Sequence, residues 1–399
     1  MTRVADRSRM DCAAAESAQP LERLWERAPR LYLDEDSWNA AGILSELPVE
    51  LVEAGEEADL LWLRRRAADW YDQLAPLQAI NHIPAERAMV RKGGLAANLK
   101  RYGAAHPDAG YSHAQFFQPT YCLSDPAEAA AFMEQQPAVD DRENVWILKP
   151  SDLSRGIGVK IVWQFDGMRK ELRKHGELSF RYEGKTLEYV IQRYIKDVLL
   201  LDGRKSELRI YWLVACLDPL LVLMYPEGTA RMSAQPYKLG DFSNPLIHLT
   251  NTYQQKKHGG QIADTELKWD FARLEDYLEK EKGAAPDFLA SVLRPKLRQS
   301  LAYVVRACLE ELKDTPANGF FFGFYGADFI LDSALTPWLT EIQEGPGLSH
   351  DDEVKARVLP NMLRGAASIV LEILALKRRG RPLAELSSTR GFEWVIGGP

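Results

Sequence analysis

The chain has 399 residues, enough for two or three subdomains and a sizeable core. Its composition, 46% hydrophobic and 27% charged, is that of an ordinary globular protein, and its formal charge of −7 argues against general nucleic-acid binding. The four cysteines (Cys12, Cys122, Cys216, Cys308) lack paired zinc spacing and read as unbridged; Cys216 and Cys308 sit in apolar runs, as small core residues do.

No stretch reads as the roughly 20 apolar residues of a membrane span, and the N-terminus lacks the apolar core of a secretory signal. The expectation is an intracellular, cytoplasmic monomer with no membrane or nucleic-acid partner. Residues 1–20 read as a disordered lead-in, because Arg, Asp, Ala and Ser mix there without periodicity.

In chain order, residues 58–74 read as a helix, with Arg64-Arg65-Arg66 on its solvated face. Arg91 to Leu95 reads as a turn leading into a short basic helix that ends near Tyr102. Residues 126–135 read as a helix with Asp125 as N-cap, Pro126 in the first turn and Glu128 completing a capping box. Val145-Trp146-Ile147-Leu148 and Val159-Lys160-Ile161-Val162-Trp163 read as strands. The loop between them, from Lys149 through Arg155-Gly156-Ile157-Gly158, is polar and flexible enough to fold backbone N–H groups over a phosphate. It is neither a P-loop nor a dinucleotide fingerprint, since no helix follows it. An ordinary hairpin loop is the plain alternative.

Residues 189–195 form another strand. The run from Lys205 to Val214 then alternates: Lys205, Glu207, Arg209 and Tyr211 share one face, while Leu208, Ile210, Trp212 and Val214 turn to the core. Turns at Leu217-Asp218-Pro219 and Pro226-Glu227-Gly228 precede Arg231. A sheet face bearing Lys205, Glu207, Arg209 and Arg231 suits a nucleotide and a carboxylate or acyl phosphate, although plain solvent exposure would give the same pattern. Helices are expected at Phe271–Lys282, 288–312 and 360–377, followed by an irregular tail over 381–399.

Gly326 to Leu331 and Trp338 to Gln343 read as a hairpin around Asp332-Ser333-Ala334-Leu335-Thr336-Pro337. With the turn centred between Ala334 and Leu335, Asp328 lies opposite Glu341. Facing carboxylates about 5 Å apart repel unless a cation lies between them. Gln343, on the same face, adds a neutral oxygen, and hard oxygen donors of this kind suit Mg²⁺ held with substrate phosphates. A solvated hairpin with two surface acids is the alternative.

Taken together, these segments resemble the tubulin–tyrosine ligase-like family, an ATP-grasp group that adds amino acids to proteins. The resemblance is carried by Trp146-Ile147-Leu148-Lys149-Pro150 with Arg155-Gly156-Ile157-Gly158, by Gln192-Arg193-Tyr194-Ile195, and by Glu207-Leu208-Arg209-Ile210-Tyr211. His248-Leu249-Thr250-Asn251, Gly326-Ala327-Asp328-Phe329 and Trp338-Leu339-Thr340-Glu341 follow in the family's order, and Asn81-His82-Ile83-Pro84 and Arg91-Lys92-Gly93-Gly94-Leu95 precede them. The similarity covers roughly residues 60–370.

The resemblance implies an α+β, ATP-grasp fold with a smaller N-terminal domain (21–90), a central subdomain (91–192) and a C-terminal catalytic subdomain (193–380). It implies that Lys149, Arg155, Gly156 and Gly158 contact ATP phosphates. Gln192, Arg193, Tyr194 and Ile195 would line the adenine, and Lys205, Glu207, Thr250 and Asn251 would hold the nucleotide. Lys92 would approach the γ-phosphate, Arg209 and Arg231 would steady the acceptor carboxylate, and Asp328, Glu341 and Gln343 would carry Mg²⁺. Glu207 stands where the family usually has Asp, and Gln343 where it has Asn.

The expected partners are ATP, Mg²⁺, a free amino acid and a protein or peptide acceptor, tubulin among the candidates. A chain of this length leaves no room for a long microtubule-binding segment, which favours a soluble acceptor. Two alternatives stay open: a catalytically weak nucleotide-binding protein that recognises acidic tails, and a ligase with a non-tubulin acceptor.

Overall fold

A computed structural model describes residues 21–108, 110–137, 141–259, 266–316, 318–348 and 352–398. The expected lead-in over residues 1–20, with Cys12, lies outside the described residues. The fold is α+β and is built on three main sheets.

The first sheet is parallel and runs Phe320–Phe321, Ala79–Ile80, Leu60–Trp62, Arg30–Leu33, Glu50–Val52. Its edge strand Phe320–Phe321 comes from far along the chain and leads into the strand that bears Asp328. The helix expected over 58–74 is not present. Leu60–Trp62 is a fully buried strand, a bend carries Arg64 to Arg66, and only a 3₁₀ turn follows at Ala68–Trp70. Short apolar runs do not by their periodicity distinguish a buried strand from a helix, and here packing inside a parallel sheet decides.

The second sheet is antiparallel, in the order Thr120–Cys122, Tyr189–Arg193, Trp146–Pro150, Lys160–Val162. Helix Pro126–Glu134 covers it, with Asp125 accepting hydrogen bonds from the backbone of Ala127 and Glu128. Glu128 does not close the capping box. Its carboxylate accepts from Cys122 N at 2.7 Å and Lys100 Nζ at 2.8 Å, joining the helix to its neighbours.

The third sheet is antiparallel and carries the site. Its order is Lys268–Asp270, Leu220–Met232, Arg204–Leu217, Gly323–Leu331, Pro337–Glu344, with Leu200–Leu201 and Glu393–Ile396 added at its margins. The final strand lies within the stretch expected to be irregular. Pro226-Glu227-Gly228 is not a turn either: it lies inside Leu220–Met232, where the register against Arg204–Leu217 shifts at a bulge.

One face of this sheet is covered along Leu208 to Val214, and the other is covered from Tyr211 onward and lines a cleft at Arg209. Leu208, Ile210, Trp212 and Val214 enter the larger core with the helix Arg294–Ala307, while Tyr211, Leu213 and Ala215 pack with the helix Glu353–Arg378. That helix is long and apolar enough to cross a membrane by length and composition, contrary to the reading from sequence, yet 83% of its most apolar window is buried inside the protein. It is the core helix that backs the sheet. Helix Phe271–Lys282 has the expected bounds, set by the Asp270 cap and by Gly283 in the left-handed region. The Arg91–Leu95 turn is instead the first turn of helix Lys92–Ala105, which packs on Arg294–Ala307.

Candidate active site

Strand pairing alone assembles a charged row. Thr229 lies opposite Arg209, Arg209 opposite Asp328, and Asp328 opposite Glu341, while Glu207 lies opposite Arg231 and Arg231 opposite Lys268. Partners across a sheet project from one face, so residues scattered over more than a hundred positions converge without any loop excursion.

The hairpin reaches the Asp328–Glu341 pairing by a route the sequence did not show. Phe329 pairs with Leu339, Ile330 with Trp338 and Leu331 with Pro337, a register centred on Ala334 rather than between Ala334 and Leu335. A bulge at Thr340 then shifts the register and sets Glu341 opposite Asp328. The turn is fixed by Asp332, whose carboxylate accepts from Ala334 N, Thr336 N and Trp338 Nε1 at 2.8–3.0 Å. The bulged Thr340 is itself used: its hydroxyl lies 3.0 Å from Asp328 O and 2.9 Å from Glu207 Oε1.

Asp328 is the buried centre of the row. Arg209 donates to it through Nε at 2.5 Å and Nη2 at 2.8 Å, and Arg231 Nη2 stands 2.9 Å away. Burial opposes ionisation, but the two guanidiniums prevail and hold this carboxyl well below the usual range; burial likewise opposes charge on Arg209, and Asp328 raises its pKa. Gly326 permits this geometry, because a Cβ there would stand 3.2 Å from Arg209 Cδ. Arg231 also donates to Glu207 Oε2 at 3.1 Å, and Thr250 donates to the same oxygen at 2.6 Å.

Gln343 bridges the row. Its carbonyl oxygen accepts from Arg209 Nη2 at 2.8 Å, and its amide nitrogen donates to Glu341 Oε1 and stands 3.3 Å from Asp328 Oδ2. Lys92 comes in from the first turn of its helix, 3.1 Å from Glu341 Oε2 and 3.0 Å from Leu153 O. The facing carboxylates are thus compensated by Arg209, Arg231 and Lys92. The side-chain ends of Asp328, Glu341 and Gln343 nevertheless meet, with the Gln343 amide nitrogen toward the carboxylates and its oxygen toward Arg209; turning that amide over would complete two carboxylates and an amide oxygen, the hard donor set that suits Mg²⁺.

Two further lysines are buried, Lys149 on the second sheet and Lys205 on the third. Lys149 donates to Gln192 Oε1 at 2.8 Å, and Gln192 donates to Thr120 Oγ1 at 2.9 Å. Lys205 lies 4.3 Å from the ring centre of Tyr194 and 3.1 Å from its hydroxyl, which contacts His248 Nδ1 at 2.9 Å. Burial pushes Lys149 down to about 8 and Lys205 down to about 7, each partly offset by neighbouring carboxylates. Burial and the nearby Lys205 push His248 down to about 4, so it is neutral and structural.

Arg193 does not join them. Strand alternation turns its side chain to Asn144 and to the face of Trp146, with the guanidinium 5.4 Å from that ring's centre. Ile195, just past the strand, is half-buried.

Arg155, Gly156 and Gly158 all have φ in the left-handed region, and a Cβ on Gly158 would stand 2.8 Å from Pro150 Cγ. The loop is tied down by a separate helix. Gln254 donates to Arg155 O at 2.9 Å, and the Arg155 guanidinium lies 5.7 Å from the ring centre of Tyr253. Both partners belong to helix Thr252–Lys257, whose N-cap is Asn251.

Lys92, Arg155, Arg209, Arg231, Glu341 and Gln343 line a cleft of about 1010 Å³ whose rim includes Arg64, Arg65, Arg66, Arg87 and Arg91. The arginine triplet expected on a solvated helix face therefore borders the cleft. Sequence reasoning also missed Thr340, Gln254 and Lys268; Thr340 had a signal in its place beside Glu341, whereas the others had none within their own segments.

A family model described as the tubulin-tyrosine ligase family matches residues 72–376. Tubulin polyglutamylase TTLL5 of Homo sapiens is 29% identical over 310 residues, which cover 74% of this chain and 22% of that protein. The probable alpha-tubulin polyglutamylase Ttll1 of Tetrahymena thermophila is 28% identical over 322 residues, covering 75% of this chain and 73% of that protein. The inactive polyglycylase TTLL10 of Homo sapiens is 29% identical over 329 residues, covering 75% and 47%. The chain thus aligns with less than a quarter of the human polyglutamylase.

Proposed function

The chain belongs to the tubulin-tyrosine ligase family, and from that premise and the charged floor of its cleft we propose that it is an ATP-dependent ligase joining an amino acid to a carboxylate of a protein or peptide acceptor. The observation that carries this reading is the convergence of Lys92, Arg209, Arg231, Asp328, Glu341 and Gln343 on one sheet face.

In this reading the phosphates lie over Lys149 and Lys205 under the Arg155–Gly158 loop, whose left-handed backbone exposes N–H groups to them. Arg209 and Arg231 orient the acceptor carboxylate, with Asp328 holding both guanidiniums in place. An acceptor oxygen attacks the γ-phosphorus and ADP leaves. The amino-acid nitrogen then attacks the acyl carbon of the resulting acyl phosphate, inorganic phosphate departs with the bonding pair, and the nitrogen loses a proton. Asp328, Glu341 and Gln343 would hold Mg²⁺, which when bound neutralises phosphate charge. The arginine rim favours an acidic acceptor, and tubulin is one candidate.

A second reading, a nucleotide-binding protein that recognises acidic tails without ligating them, is favoured by one observation. Both oxygens of Asp328 are engaged by arginine, and Gln343 spans Arg209 and Glu341. A relative at 29% identity is named an inactive polyglycylase.

The deciding experiment incubates the pure protein with ATP, Mg²⁺, each amino acid, and tubulin or acidic peptides, with mass spectrometry as readout. The ligase reading expects ADP release that needs both acceptor and amino acid, and a mass gain on the acceptor equal to that residue. ATP binding without acceptor-dependent turnover would establish the binding protein instead.

A further inference from the structure

Beside the cleft, His82, Glu86 and Glu344 meet in a cluster that the ligation chemistry does not use. His82 and Glu86 are 2% and 0% exposed. His82 Nε2 lies 3.1 Å from Leu63 O, and its Nδ1 lies 2.9 Å from Glu86 Oε1. A carbonyl oxygen only accepts, so Nε2 carries the ring proton and a neutral His82 turns the Nδ1 lone pair toward Glu86. Glu86 Oε2 accepts from Tyr325 Oη at 2.8 Å, and Glu86 also meets the Glu344 carboxyl. With a neutral His82, one donor serves three lone-pair-bearing groups; a proton on Nδ1, which the Glu86 carboxylate favours, or a bound cation supplies the missing charge.

A second feature points the same way. Tyr71 is 6% exposed, and among the described residues its hydroxyl has no hydrogen-bond partner. That hydroxyl is within electrostatic reach of both Glu86 and Glu344. A buried hydroxyl left unpaired within the field of two carboxylates is open to a further partner there.

We propose that His82, Glu86 and Glu344 form a second divalent-cation site, of the zinc class, separate from the Asp328–Glu341–Gln343 set. A neutral imidazole and two carboxylates carry two negative charges, which one divalent ion balances. Imidazole with carboxylate suits zinc better than magnesium. The ligand atoms already lie within 4.8 Å of one another. Bonds of about 2.1 Å around a tetrahedral ion need about 3.4 Å, so the three ligand atoms would draw together on binding, with Glu344 at the exposed edge. The Nε2–H···O=C contact with Leu63 is the outer hydrogen bond that fixes a metal-binding imidazole. Since Glu344 directly follows Gln343, the ion would pin the end of the Pro337–Glu344 strand to the segment that follows the first sheet.

The test uses the full chain, stripped with chelator and free of nucleotide, titrated with Zn²⁺ alone by calorimetry and followed by thermal unfolding. One equivalent should bind and raise the melting temperature. Glu344→Gln, isosteric and at the exposed edge, should weaken binding by at least about 10- to 100-fold, the cost of losing even an outer partner of a ligand, and His82→Gln should do the same if it folds. Glu341→Gln should bind Zn²⁺ as the unaltered chain does. Absence of binding, equal affinity in Glu344→Gln, or loss in Glu341→Gln would overturn the proposal. None of these outcomes depends on whether the protein is a ligase.

Discussion

Asp328 and Glu341 face each other across the hairpin only because Thr340 is bulged out between Glu341 and Leu339. Without the bulge, the register of Phe329 with Leu339 would continue and Thr340 would take the place opposite Asp328. A single inserted residue thus gives the site its second carboxylate and spends the bulged hydroxyl on Glu207. Glu341→Gln keeps the shape and removes the charge. We expect the fold to survive and ADP production to fall by about 100-fold or more, the scale of losing one preorganised electrostatic partner. Unchanged turnover at saturating Mg²⁺ would remove Glu341 from the metal assignment.

Arg209 should matter for stability as well as for chemistry. Arg209→Met leaves the buried Asp328 with Arg231 alone, and breaking a buried pair on one side costs about 3 kcal/mol or more. Arg231→Met should cost less, since Arg231 is more exposed and Arg209 retains the bidentate contact. Urea unfolding of both variants provides the comparison, and equal losses would contradict the ordering.

The longer amide of Gln343 reaches Arg209 and Glu341 at once. Gln343→Asn withdraws it by one methylene, and the loss of about one hydrogen bond to a charged group predicts a roughly tenfold lower kcat/KM for ATP. An unchanged or raised value would mean that the family's usual Asn geometry is accessible here and that the spanning contacts are incidental.

Nucleotide affinity should fall as pH rises above neutrality. Burial pushes Lys205 down to about 7 in the free protein, partly offset by Glu207. Phosphate favours the charged lysine and raises its pKa, so affinity is full below about 7 and declines above it, by at most about tenfold per pH unit for this group. Lys205→Arg, which stays charged, should flatten the profile measured between about pH 6.5 and 9. A rising affinity over that window would show that Lys205 does not meet the phosphates.

Arg65, at the cleft rim and largely in solvent, tests the acceptor rather than the nucleotide. Arg65→Glu should raise the KM for an acidic peptide and reduce its salt dependence, while the KM for ATP stays put. A change confined to ATP would assign the rim to the nucleotide.

The sequence by itself determined what depends on local periodicity and chain order. Alternation from Lys205 to Val214 put Glu207 and Arg209 on one face, because successive side chains in a strand must point opposite ways. Asp270 and Gly283 bounded their helix through capping, and the ordered motifs carried the family resemblance that the matched span 72–376 bears out. Tertiary structure decided what depends on partners far along the chain. Arg209 and Asp328 are 119 positions apart, and nothing in either segment names the other. The same holds for Lys92 with Glu341, for the arginine triplet at the cleft rim and for the edge strand Phe320–Phe321. The buried strand at Leu60–Trp62 was misread because the period of a short apolar run is ambiguous until a sheet closes on both of its faces. Backbone geometry sets which way each side chain points, whereas burial of the whole chain selects what it meets.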